Sequence, residues 1–175
     1  MNKLAPFNEK WKLMFQREEK KLIDILNGQN IEQIEHIGAT SVDSCDTFGT
    51  IDILVSAHSY LDLISIKNIL IKHEYQYIKH LSEDLRCLMF IKRNNKKQII
   101  ATVRVVEFAS IAYQEFILFK YYLMEGRNAL RYNAVRENYL SDGDIKKYQR
   151  SKTEHIRYIL KKYCRTTKKS SWTGS

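Results

Sequence analysis

Proline is nearly absent from this chain, one residue in 175, and glycine is scarce at six. With so few breakers, and no stretch rich in Pro, Gly or Ser, there is no flexible linker to divide the chain. Cysteine is sparse as well. Cys45, Cys87 and Cys164 are an odd number with no C-x-x-C pair and no histidine at ligand spacing, which argues against a disulfide framework or a zinc site. No apolar run reaches the length of a membrane span. Glu9, Lys10 and Lys12 stand near the N-terminus, where a signal peptide needs an apolar core. The expected address is cytoplasmic, with no membrane partner.

What is present is the composition of a globular protein, 44% apolar and 28% charged. The length suits one domain with one good core, read here as residues 1–164, followed by a disordered tail at 165–175. The net charge of +9 is unevenly placed: residues 144–169 hold ten Lys and Arg against Asp144 and Glu154. Such a segment is either a solvated helix face or a surface for phosphates, those of RNA included.

Periodicity predicts a helix over 8–27, with Trp11, Phe15, Ile23 and Leu26 among its apolar positions. A strand follows at Ile31–Ile37, then a loop from Gly38 to Gly49 and a strand at Thr50–Ser56. Tyr60–His73 reads as a helix through Leu61, Ile64 and Leu70, and Tyr75–Lys79 as a short strand. Leu85–Lys92 and Gln98–Glu107 read as a β-hairpin. Helices are expected at Ala112–Glu125, Arg127–Leu140 and Asp144–Tyr163. Strands first and helices afterwards indicate an α+β fold, a mixed sheet with a C-terminal helical cap.

Chemistry concentrates at Ile34-Glu35-His36-Ile37-Gly38-Ala39-Thr40-Ser41-Val42 and Ile51-Asp52-Ile53-Leu54-Val55. A glycine lets backbone N–H groups turn inward, and the hydroxyls of Thr40 and Ser41 add donors, as a phosphate-binding turn requires. Asp52 lies mid-strand among apolar neighbours, so it needs a partner or a metal ion. Mg²⁺ usually takes one or two carboxylates with the substrate phosphates, and the second, expected at i+2 on the same strand face, is here Leu54. The other reading is that Asp52 pairs with a Lys or Arg, or caps the Gly38 loop.

These two segments resemble the signature of the GrpB family, a group with a nucleotidyltransferase-like fold. The resemblance continues through Leu118-Phe119-Lys120-Tyr121-Tyr122-Leu123, then Ala129, Tyr132, Val135, Arg136 and Leu140, then Tyr148, Lys152, His155 and Ile156. The chain departs from that pattern at Ala39, where the family has serine, and at Asp43-Ser44 and Gly49-Thr50 in the loop. It departs again at Thr102-Val103-Arg104, in place of His-Leu-His, and at Lys120-Tyr121, in place of Arg-Asp. The resemblance implies that the hairpin's second strand lies beside Asp52. Arg104 then either neutralises Asp52 or binds a phosphate itself, and both disfavour two-metal nucleotidyl transfer.

Lys152 is in line with Tyr148, Ile156 and Ile159. It either snorkels to the surface or, as the resemblance implies, reaches into the cleft. Glu35 and His36 end the first strand, one on each side, and with Lys120 are expected to support the site rather than react. Arg136 reads as a surface or ion-pairing residue. The expected function is binding of a nucleotide or other phosphate-bearing ligand with reduced or lost transferase chemistry. Gly38, Thr40, Ser41, Arg104 and Lys152 would contact the phosphate, and Asp52 would hold a cation or orient Arg104. The alternatives are an active Mg²⁺-dependent transferase using Asp52, and an RNA-binding or protein-interaction module built on the basic C-terminal helix.

Overall fold

The computed structural model describes residues 4–79, 87–141 and 153–162. Helix α1 (Lys10–Ile25) leads into strand β1 (Ile31–Ile37), a single 3-10 turn (Ala39–Ser41) and strand β2 (Ile51–Ala57). Helix α2 (Tyr60–Lys72), β3 (Gln76–Tyr77), β4 (Cys87–Arg93) and β5 (Ile99–Glu107) follow, then α3 (Ile111–Met124) and α4 (Asn128–Ser141). Residues 153–162 are helical. The remainder of the expected last helix, Lys152 and the tail lie outside the described residues.

The five strands run in the order β1-β2-β5-β4-β3. β2 is antiparallel to β1 and parallel to β5, and the β4–β5 hairpin and the β3–β4 pair are antiparallel. β2 is thus paired on both edges, and every residue of it is buried except Asp52, which is partly open. This mixed sheet with flanking helices is the expected α+β fold.

Alternation along the strands makes two unlike faces. On one, Ile51, Ile53, Val55, Val103, Val105 and Phe90 join Leu22 of α1, Leu26 just past its end, and Leu63, Ile66 and Leu70 of α2 in the main core. On the other, Ile37, Leu54 and Val106 meet Ala112, Phe116 and Ile117 of α3. A third apolar cluster joins Val42 and Cys45 of the loop before β2 to Phe119, Leu123, Ala129, Tyr132, Ile159 and Leu160. The helical cap therefore packs on that loop as well as on the sheet.

Two helices are rotated from their expected phase. In α1 the buried positions are Trp11, Glu18 and Leu22, while Ile23 is 57% exposed. Ile23 follows Leu22 by 100° around the helix and so points off the stripe. In α2 the buried stripe is Leu63, Ile66 and Leu70, with Leu61 and Ile64 exposed. That helix is apolar on most sides, so spacing alone leaves its phase open. Its start is marked plainly: the Ser59 hydroxyl accepts from the Asp62 amide, and the Asp62 carboxylate accepts from the Ser59 amide at 2.9 Å. No helix among the described residues is long and apolar enough to cross a membrane.

The glutamate in the α1 stripe is answered from the sheet. Glu18 Oε1 accepts from Lys92 Nζ at 2.6 Å and from the Tyr75 hydroxyl at 2.5 Å, all three residues being buried. Burial, together with that carboxylate, pushes the Tyr75 phenol well up from its ordinary pKa.

Candidate functional site

β1 ends against α3 at Ile37, and the chain must then leave the sheet beside Asp52. Gly38 does this at φ +72°, ψ −167°, a region that side chains with a Cβ avoid. Space makes the same demand: a Cβ on Gly38 would lie 2.7 Å from Asp52 Oδ2. The glycine turn and the carboxylate are therefore in direct contact.

Within the turn, the two hydroxyls expected to face a phosphate have partners. The Ser41 hydroxyl donates to the Gly38 carbonyl at 2.7 Å. Thr40 is fully buried, with Oγ1 at 2.9 Å from His36 Nε2. The His36 ring is stacked on Phe15 at 4.6 Å between centroids. Burial, then the charges of Lys120 and Lys12, lower its pKa to about 4, so the ring is neutral at pH 7. The amides of Ala39 and Thr40 open the turn and have no acceptor within it.

Asp52 stands opposite Ile37 on β1 and Thr102 on β5. The Thr102 hydroxyl donates to Asp52 Oδ1, while Oδ2 faces Gly38. Two residues on, Leu54 is 1% exposed and packed with Ile37 and Val106 beneath α3. Arg104 is in register with Leu54 and so shares the face of Asp52. It forms no ion pair with Asp52. Its guanidinium lies 5.1 Å above the Phe116 ring. Glu35, opposite Leu54 on the other side, pairs with Lys120 at 2.7 Å. Glu35 and Arg104 thus flank Leu54 in one row of this sheet face, and Asp52 lies in the adjacent row between Ile37 and Thr102.

The donor set around Asp52 is a poor one for a magnesium ion. Asp52 offers one carboxylate with one oxygen already bonded to Thr102, Leu54 fills the i+2 position with hydrocarbon, and Glu35 is held by Lys120. Among the described residues no three His, Cys, Asp or Glu side chains converge as a metal-holding group. These residues do not fit the paired carboxylates that a two-metal reaction uses.

Arg136 differs from its sequence reading. It is not on the surface but 3% exposed and has no ion pair among the described residues, with Nη2 donating to the Asp46 carbonyl at 2.5 Å and to Asn133 Oδ1 at 2.8 Å. Its two carbon-rich neighbours on α4, Ala129 and Tyr132, place it on the buried face of that helix. The sequence reading passed over Thr102 and Asn133 as contacts. Thr102 was detectable in principle, because it alternates with Arg104 on a strand whose other face is apolar. Asn133 lies among polar helix residues and carries no such signal.

The GrpB protein family model matches residues 2–162. The chain is similar to the glutamate-rich protein GrpB of Alkalihalophilus pseudofirmus, 26% identical over 165 residues that cover 90% of this chain and 92% of that one. It is similar in structure to the conserved protein GrpB from Enterococcus faecalis: TM-score 0.80 at 21% identity, covering 94% of this chain and 99% of the other. A more distant likeness is to the Cid1 poly(U) polymerase in its Mg 3'-dATP-bound form. There the TM-score is 0.52 at 10% identity, over 85% of this chain and 49% of that one. The fold is nucleotidyltransferase-like, and the chain belongs to the GrpB family.

Proposed function

We propose that this protein binds a nucleotide or another phosphate-bearing ligand at the turn after β1, with its transferase chemistry reduced or lost. One observation carries the reading. Asp52 is the single partly open residue of a strand otherwise buried, it abuts a turn only glycine can make, and the neighbouring metal-ligand position is a buried leucine. In such a site the opening amides of the turn meet the phosphate, and Arg104 supplies positive charge by leaving the Phe116 ring. Asp52, oriented by Thr102, accepts a hydrogen bond from the ligand or holds Arg104 in its bound position.

The test is thermal shift of the purified chain against nucleoside mono-, di- and triphosphates and coenzyme A precursors, with and without Mg²⁺. Ligand binding to the folded state raises Tm by mass action. A metal-independent shift abolished by Arg104→Ala is the expected result. A shift that requires Mg²⁺ and is lost in Asp52→Ala would favour an active transferase instead. No shift with any ligand overturns both and directs attention to RNA and the basic C-terminal segment.

A further inference from the structure

Asn133 and Arg136, one turn apart on α4, are 7% and 3% exposed and are both directed at the segment between the glycine turn and β2. Asn133 Nδ2 donates to the Ser44 carbonyl at 3.1 Å, and its Oδ1 accepts from the Asp46 amide at 3.0 Å. Arg136 Nη2 donates to the Asp46 carbonyl at 2.5 Å and lies 3.4 Å from Cys45 Sγ. Two side chains therefore hold three backbone groups within three consecutive residues. The hold extends back to the turn: the Cys45 amide donates to the Val42 carbonyl, the Val42 amide to Ala39 and the Ser41 amide to Gly38.

This arrangement is costly. The guanidinium pairs with no carboxylate among the described residues, and its buried Nε has no hydrogen-bond partner. Apolar side chains of similar volume would fill the space with less desolvation. What they could not supply is a fixed position for Ser44–Asp46.

We propose that Asn133 and Arg136 are positioning residues: they fasten Ser44–Asp46 as a strap that keeps the glycine turn seated against Asp52, so that ligand binding at the turn and opening of the strap exclude each other. The inference rests on the binding reading above. It assigns α4, which contributes no residue to the face of Asp52, control over the site.

Cys45 reports on the strap because it is fully buried and must be uncovered to react. With Cys87 and Cys164 replaced by serine, its rate of alkylation by iodoacetamide measures strap opening. Asn133→Ala removes all the Asn133 contacts and is expected to raise that rate roughly tenfold or more. An unchanged rate overturns the proposal. If Asn133→Ala does not fold, Asn133→Asp serves: it keeps the acceptor for the Asp46 amide, gives Arg136 a carboxylate and removes only the donor to Ser44. Its rate should rise above that of wild type, because a carboxylate oxygen then faces the Ser44 carbonyl, and a rate equal to wild type overturns the strap.

ATP and pyrophosphate are then added. Saturating ligand is expected to slow Cys45 alkylation in the wild-type strap, and Asn133→Ala to weaken binding, since the coupling is reciprocal. Binding that leaves alkylation unchanged overturns the coupling alone. No binding of either probe by the wild-type chain overturns the binding reading, and the coupling with it.

Discussion

On the α1 and α2 face of the sheet, apolar side chains from five elements close over one another, and the buried carboxylate among them, Glu18, is held by Lys92 and Tyr75. On the α3 face, apolar burial is confined to a strip around Ile37, Leu54 and Val106, and charged side chains stand along it: Glu35 with Lys120, Asp52 with Thr102, Arg104 over Phe116. The same strand, β2, serves both. Its alternation sends Ile51, Ile53 and Val55 to the closed side and Asp52 and Leu54 to the other. The lesson is that the buried polar groups of the closed face are answered out of reach of solvent, whereas the charged groups of the α3 face, though partnered, stay partly exposed.

The closed face is the more sensitive to loss of a partner. Lys92→Met leaves Glu18 buried with only the Tyr75 hydroxyl and a distant Lys21, and is expected to cost about 3–5 kcal/mol by urea denaturation. Adding Glu18→Leu should recover most of it, because the paired replacement removes the desolvated charge. If the double variant is no better than the single, the network does more than satisfy itself.

Leu54→Asp tests the strip on the other face. It restores the missing i+2 carboxylate in sequence but places it at a position 1% exposed, and should cost about 3 kcal/mol even with Arg104 beside it in register. A stable variant that gains Tm on adding Mg²⁺ would break the contrast and make the α3 face a metal site one substitution away.

Gly38→Ala sharpens the link between turn and carboxylate. The backbone strain and the close approach to Asp52 together predict a loss of about 2–3 kcal/mol. Combining it with Asp52→Ala should return the part due to contact and leave the part due to φ. Full additivity in that cycle would show that the two residues do not press on each other.

A further effect is in pH. His36 is held at a pKa of about 4 when folded, against 6.5 ordinarily, so between those values the unfolded chain takes up a proton that the folded chain refuses. The stability this contributes is complete above pH 6.5 and declines as pH falls toward 4, by about 3 kcal/mol. Denaturation midpoints across that window should lose this slope in His36→Gln. An unchanged slope would assign it to the carboxylates.

Several elements were legible because their signal is local. β1, β2 and the hairpin stand out by their runs of Ile, Val and Leu, and α2 by the helical spacing of Leu61, Ile64 and Leu70, which places the helix without giving its phase. The GrpB membership was legible from the two segments around Gly38 and Asp52, which are contiguous in the chain. The rotation of α1 and α2 was not, since spacing gives a stripe only when the remaining positions are polar. Ile23 and Leu61 are apolar and exposed. Arg136 was missed for the opposite reason: nothing local distinguishes a buried arginine from a surface one.

By itself, then, the sequence determined the order of helices and strands, the glycine-bearing turn, the lone aspartate of β2 and the family. Those follow from side-chain periodicity, backbone freedom at one residue and short contiguous motifs. Only the tertiary structure decided which groups meet: Thr102 rather than Arg104 on Asp52, Phe116 beneath Arg104, Glu18 answered by Lys92, and α4 fastened to the strap before β2. Each of those contacts joins residues distant in the chain. Their partners are selected by sheet register and helix packing, which no local preference encodes.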